Sequence, residues 1–296
     1  MITEFFKRLV RLAWFLPGFI LWAAFPPMGE RMDCLFALAP LLWLARRGDI
    51  RTSFFRWFVN GLVFWFATLS WMPAIVKNGG PWPLVILGWI GLAAYCALYF
   101  AAFGASSALY WNWARRRSNY LFRLLGLLFV EPILWCGLEL VRSRFLGGFS
   151  WNQLGVAPAN SGLGAPAALG GVYLLSACVI LVNGTFASVA ERVLAPRLDR
   201  LSSLTVPKWL QSIETVLPLL LIWGIYSSSP SSSPSPSPSS SLSVALIQRN
   251  FPCCFQANEE NPYRVYDALV RNVADLKPGL VVLPESALCG FGTVQS

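Results

Sequence analysis

Apolar residues in this chain come in long unbroken runs, and most of the charges gather between the runs. A surface helix shows one apolar face, whereas a helix in lipid is apolar all round and needs about 20 such residues to cross. Seven runs stand out, at 9–25, 34–45, 54–71, 82–113, 121–141, 165–190 and 209–226. The second is too short to cross alone. It follows Pro26 and Pro27, so the first two runs read as a helical hairpin with uneven legs. The first run has the basic start and apolar middle of a signal peptide, with small residues at Ala23 and Ala24. The further apolar runs favour a retained anchor over a cleaved leader.

The pattern then changes. Residues 227–241 read SSSPSSSPSPSPSSS, which can bury no core and suits an extended tether. From Leu242 the chain shows a short aliphatic run at 243–248, a helical stretch and a second aliphatic run at 280–283. Asn261 is placed to cap the helix, Pro262 suits its first position, and Val265, Ala268, Leu269, Val273 and Leu276 recur at helical spacing. Pro278-Gly279 ends it. Strand, helix, strand with short connections predicts a parallel pair, the opening of an α/β domain. The layout is a transmembrane helical domain at 1–226, a Ser/Pro linker at 227–241 and an α/β fragment at 242–296.

Composition narrows the class. The chain is 56% hydrophobic and 12% charged, where soluble domains carry about a quarter charged residues. A soluble globular protein is excluded. There is no histidine, which removes Ser-His-Asp and Cys-His catalysis and every metal site that needs imidazole. The seven cysteines show no CxxC spacing, so no disulfide framework, metal site or cofactor is indicated; the net charge of +9 is read through its placement in loops, without a nucleic-acid partner.

Basic residues mark the cytoplasmic side of short loops. Lys7, Arg8 and Arg11 open the first run; Arg46, Arg47, Arg51 and Arg56 lie around the join of the second and third. Arg115, Arg116, Arg117 and Arg123 follow the fourth, and Arg192, Arg197, Arg200 and Lys208 follow the sixth. The opposite loops hold only Arg31, Lys77, Arg142 and Arg144. The N-terminus is therefore expected in the cytoplasm and the tail outside it.

Glu285 is the leading catalytic candidate. It stands two residues after Leu283, and functional groups of a parallel α/β sheet gather past the carboxyl ends of the strands. Pro284 directs the chain as it leaves the strand, and the carboxylate suits a general base. The other reading is a solvated acidic residue opening a loop, and position alone leaves both open. In the membrane half, Glu131 lies inside a span, where it reads as part of a cation pathway or as a capped polar pair. Glu139 and Arg142 are i, i+3 and are expected to pair. Trp151 is expected at the membrane interface as an anchor. The glycine run at 162–171 lacks the Lys-Ser/Thr of a phosphate loop, and the Asn183-Gly-Thr185 glycosylation triplet is discounted inside a span.

The tail Val-Ala-Leu-Ile-Gln248, the helix, and Leu-Val-Val-Leu-Pro-Glu285-Ser-Ala resemble the start of a nitrilase-superfamily (carbon-nitrogen hydrolase) domain. In the membrane half, Gly148-Phe-Ser-Trp151-Asn-Gln-Leu-Gly155, Gly170-Gly-Val-Tyr173 and Leu181-Val-Asn183 resemble the bacterial apolipoprotein N-acyltransferases. The resemblance implies a polytopic α-helical membrane domain of about seven spans, followed by the start of an α/β nitrilase-like αββα sandwich outside the bacterial inner membrane. It implies a phospholipid acyl donor, a cysteine thioester, and the α-amino group of a diacylglyceryl-cysteine lipoprotein as acceptor. The family site is Glu-Lys-Cys, and Glu285 matches its first member.

The lysine and cysteine belong to later strands, and the sequence stops at Ser296. Cys289 shares a loop with Glu285, which does not suit a nucleophile facing its base. Cys253 and Cys254 read as loop or packing residues, and Lys277 as a partner of the helix C-terminus. Arg249 stands where the family usually has a small residue, and the Ser/Pro tether is longer than usual. The chain alone is thus expected not to catalyse, nor its tail to fold alone; a separately encoded C-terminal half would be a further partner. The alternatives are a non-catalytic membrane remnant and a small-solute transporter built on Glu131 and Glu139, although the runs show no internal repeat.

Overall fold

A computed structural model describes residues 14–117, 119–159, 161–198, 208–229, 242–248 and 262–284. They fall into two compact units, one within Met1–Ser70 and Gly88–Ser232, the other within Trp71–Leu87 and Ser233–Ser296. Each apolar run is at least partly helical. The helices are α1 (Leu16–Ala23), α2 (Ala39–Arg47), α3 (Ile50–Thr68), α4 (Trp82–Arg116), α5 (Tyr120–Leu125), α6 (Glu131–Arg142), α7 (Val156–Ala159), α8 (Ala167–Leu198) and α9 (Lys208–Ser228).

Among the described residues, four helical stretches are long and apolar enough to cross a membrane: Ile50–Lys77, Trp82–Arg116, Tyr120–Arg142 and Ala167–Val193. Ser212–Ser228 is a shorter apolar helix. The described helix of the second run is 9 residues long, too short to cross alone, and that of the first covers Leu16–Ala23, with residues 9–13 of its run outside the described residues. A 3-10 turn at Arg31–Leu35 lies between the two legs.

A short helix in an apolar setting leaves backbone groups bare at its ends, and lipid cannot satisfy them. Polar side chains from other helices do so here. Asn183 of α8 accepts from the Leu38 amide at 2.8 Å and donates to the Cys34 carbonyl at 2.8 Å, which closes the break before α2. Asn60 of α3 accepts from the Gly18 amide of α1 at 2.8 Å. A side chain at Gly18 would strike the Asn60 carbonyl, so only glycine permits this approach. Gly61 lies against Ala97 and Phe100, and Gly104 against the Trp57 ring; small residues let α3 and α4 pack closely without any hydrophobic force between them in lipid.

Two irregularities shape the bundle. A π-helical turn, Gly126–Val130, joins α5 to α6 without a break in the helical path. Gly170 and Gly171 interrupt the start of α8 with non-helical backbone, and the positive φ of 61° at Gly171 suits glycine.

In the second unit, strand β1 (Val244–Leu246), helix α10 (Pro262–Ala274) and strand β2 (Leu280–Val282) form a β-α-β unit. The strands are parallel, with Val244 opposite Leu280 and Leu246 opposite Val282. Ile247 and Tyr266 are buried, with Leu269, Val270, Val273, Val281 and Leu283 packed around them. The packing face of α10 is thus Tyr266, Leu269, Val270 and Val273. Leu276 falls beyond the helix end and is 76% exposed, which corrects its expected place on that face. Asn261 lies outside the described residues.

Candidate functional site

The element that leads into Glu285 is in place: β2 ends at Val282, and Leu283 and Pro284 carry the chain onward. Glu285 itself, with Cys253, Cys254 and Cys289, lies outside the described residues. Lys277 is exposed in the turn after α10, with a left-handed backbone (φ 44°) and its amide donating to Ala274. Among the described residues, no group of three or more His, Cys, Asp or Glu is placed to hold a metal.

The membrane unit holds two buried carboxylates on α6. Glu131 opens the helix just after the π turn and is 1% exposed. Its Oε2 accepts from Arg46 Nη2 at 2.5 Å and its Oε1 from Arg46 Nε at 3.2 Å. Ser107 Oγ and Trp111 Nε1 each donate to Oε1 at 2.9 Å. Arg46 also donates from Nη1 to the Gly184 carbonyl at 3.0 Å and to Ser188 Oγ at 2.9 Å, and lies over the Trp111 ring at 4.7 Å. Gly184 leaves the room for this, since a Cβ there would meet Arg46 and Leu127. Of the two readings left open for Glu131, this is the capped pair, tying α2, α4, α6 and α8 together.

Glu139, about two turns further along α6, is built differently. It does not pair with Arg142. Its Oε1 accepts the Leu154 amide at 2.7 Å, and Arg142 Nη1 donates to the carbonyls of Phe149 and Trp151, each at 2.9 Å. The Arg142 guanidinium lies over Trp65 at 4.8 Å. The expected pair is therefore replaced by two anchors for the loop between α6 and α7. That loop has positive φ at Leu146, Gly147, Gly148 and Asn152, and its bent backbone satisfies only some of its own groups, as at Gly148 and Phe149. Buried amides and carbonyls must find partners, and the two side chains provide them. Trp151, 53% exposed, stands beside Phe149 at 5.7 Å.

A cleft opens beside these anchors. Its walls include Phe64, Trp65, Phe100, Trp135, Glu139 and Arg142, and it is narrow, with room inside for little more than a water molecule. Aromatic contacts such as Phe100–Trp135 at 5.2 Å and Phe64–Phe100 at 5.7 Å stiffen the wall. Glu139 Oε2 is buried there without a hydrogen-bond partner, and so are the indole N–H groups of Trp65 and Trp135.

Sequence reasoning found both glutamates and missed most of what surrounds them. Arg46, Arg56 and Arg142 enter the loop charge count, yet they are buried at 2%, 7% and 3% exposure. Arg123, also counted there, reaches Glu191 and Glu214 at 3.4 Å. The partners Ser107, Trp111, Ser188 and Leu154 carry no local signal, because each contact closes across many residues of chain.

A bundle of membrane-length helices with paired internal charges, carried on one chain with a β-α-β unit, defines a helical membrane protein with an α/β appendage. The family model described as the apolipoprotein N-acyltransferase N-terminal domain matches residues 17–185, and the chain belongs to that family. Among curated relatives, the apolipoprotein N-acyltransferase of Geobacter metallireducens is 29% identical over 277 residues, covering 92% of this chain and 50% of the relative. That of Photobacterium profundum is 28% identical, covering 85% and 44%. That of Azotobacter vinelandii is 33% identical over 56% of this chain and 30% of its own length. The chain spans about half the length of the first two.

Proposed function

We propose that this chain provides the membrane domain and the opening of the catalytic domain of an apolipoprotein N-acyltransferase. Residues 1–226 form the transmembrane part, with about seven membrane-inserted segments, residues 227–241 the linker, and residues 242–296 the start of an extracytoplasmic nitrilase-like αββα domain. The protein sits in the bacterial inner membrane with its N-terminus in the cytoplasm. A membrane phospholipid is the acyl donor and a diacylglyceryl-cysteine lipoprotein the acceptor.

In the first stage a cysteine thiolate attacks the donor's ester carbonyl; the C–S bond forms, the C–O bond breaks, and the lysophospholipid leaves with a proton. In the second, the acceptor's α-amine attacks the thioester, the C–N bond forms, the C–S bond breaks and the thiolate returns. Glu285 is the base that carries these protons. A lysine stabilises the oxyanion, and both it and the cysteine belong to later strands of such a domain.

The observation that carries this reading is the order of parts: a family-matched membrane segment, then a parallel β-α-β unit whose second strand ends just before Pro284-Glu285. The test is complementation of a strain depleted of its lipoprotein N-acyltransferase. Growth is expected with the chain plus the downstream reading frame, lost with Glu285→Gln. Growth with the chain alone would overturn the assignment of lysine and cysteine to later strands and return attention to Cys289, Cys253 and Cys254. Failure of both, with the protein inserted, would favour a remnant or a transporter.

A further inference from the structure

Helix α9 divides at Pro218. A proline has no amide hydrogen and its ring crowds the carbonyl four residues earlier, so the Glu214 carbonyl loses its helical donor and the helix is weakest there. Before that point α9 is fastened to the bundle by side chains. Arg123 reaches Glu214 of α9 and Glu191 of α8, each at 3.4 Å, and Arg192 Nη2 donates to Thr215 Oγ1. Arg123 also lies over the Trp111 ring at 5.9 Å, the indole that donates to Glu131, so the fastening continues into the buried pair. At the proline itself, Leu217 and Ile222 pack on Leu127, Leu128 and Leu181, and the first two of these belong to the π turn. Two irregular helical segments thus meet where each bends most easily.

Past Pro218 the helix is held far less. Leu219, Leu220 and Trp223 are each more than half exposed, and a Cβ at Gly224 would meet nothing, so that glycine weakens the helix without serving a close approach. Among the described residues, the polar contact that ties this half to another element is at its far end, where the Tyr226 hydroxyl donates to the Leu163 carbonyl. The Ser/Pro run begins at the next residue. We propose that α9 is a strap in two parts: an inner half clasped by Arg123 and Arg192, and an outer arm that pivots at Pro218 and is latched by Tyr226 on the Leu163 carbonyl. Releasing the latch breaks one hydrogen bond, and swinging the arm by about 20° over a lever of about 15 Å moves its end by about 5 Å. The consequence for whatever the tether carries rests on reading 227–241 as a linker; the motion itself is read without that, and without turnover.

The test is a pair of distance measurements by double electron–electron resonance on the full chain in nanodiscs, with spin labels carried on unnatural ketone residues so that the native cysteines stay. One pair, Val141 and Ser228, reports on the arm; the other, Leu109 and Val216, reports on the clasped half, and all four side chains are exposed. The unaltered chain is expected to give a broader distribution for the arm pair than for the clasped pair. Equal widths would overturn the proposal, whether or not any variant folds. Tyr226→Phe removes the latch and should add a population displaced by about 5 Å to the arm pair only. Pro218→Ala restores an amide to the Glu214 carbonyl and, placed on Tyr226→Phe, should remove that population. Displacement of both pairs would overturn the pivot, since α9 would then rock as one rod. A displaced population that survives Pro218→Ala would assign the motion to fraying of the helix end and overturn the pivot as well. No displacement in folded Tyr226→Phe would overturn the latch.

Discussion

Glu131 and Glu139 share a residue type and a helix, and both are buried, yet their surroundings differ in one respect that decides what each does. Around Glu131 both oxygens are engaged by Arg46, Ser107 and Trp111, and the arginine is itself held by Gly184 and Ser188. Around Glu139 one oxygen holds a loop amide and the other is buried without a hydrogen-bond partner. A polar group in an apolar interior that is fully satisfied fixes structure through every contact it makes, whereas one that is half satisfied fixes less of it. Burial alone does not tell them apart; the tally of partners does.

The largest effect that follows is at Glu131. Glu131→Ala leaves the Arg46 guanidinium buried without its counter-charge, which costs about 3–5 kcal/mol and should remove most of the folded protein, read by thermal unfolding in detergent. Replacing both members, Arg46→Met with Glu131→Leu, removes the stranded charge and should recover more than half of that loss. If the double change is as damaging as the single one, the comparison breaks, because the ion pair would not be what holds these helices. Next in size is Asn183→Leu, which bares the Leu38 amide and the Cys34 carbonyl and is expected to cost about 1–3 kcal/mol in the same measurement.

Those two residues also show what the sequence reveals and where it stops. Runs of apolar residues locate the helices well, since the signal is local and repeated; the β-α-β unit is legible for the same reason, with Pro262 at the helix start and aliphatic residues in both strands. A count of loop charges cannot see burial. Arg46 sits at the end of its apolar run and looks like a cytoplasmic flank, while its partner is 85 positions away on another helix. Asn183 in a glycosylation triplet looks incidental, and it closes a helix break 145 positions earlier. Helical spacing made Glu139 and Arg142 a pair, but spacing ignores competitors. The loop carbonyls and the Leu154 amide win because a bent backbone in an apolar setting has no other partners.

A smaller effect sharpens the contrast at Glu139. Glu139→Gln retains an acceptor for Leu154 and should change stability by less than about 1 kcal/mol, whereas Glu139→Ala frees that amide and should cost about 1–2 kcal/mol. Unfolding midpoints of the two variants check this. A Gln variant as unstable as Glu131→Ala would show that Glu139 is structural like its neighbour, and the contrast would fail.

The smallest effect concerns Asp49, an exposed carboxylate ahead of α3 that can be titrated freely. The Thr52 amide donates to its Oδ1 at 2.8 Å, and this bond, with the Thr52 hydroxyl, holds its carboxyl below the usual range. Because the folded value lies below the unfolded one, near 3.9, the cap contributes in full above that pH and is lost as pH falls through the folded value. Hydrogen exchange at the Thr52 and Ser53 amides should therefore quicken, beyond its intrinsic pH dependence, only at pH below about 4. Asp49→Asn caps about as well and carries no titrating proton, so its protection should stay level across the same range. Equal loss of protection in both proteins would assign the fraying to the bundle rather than to the cap.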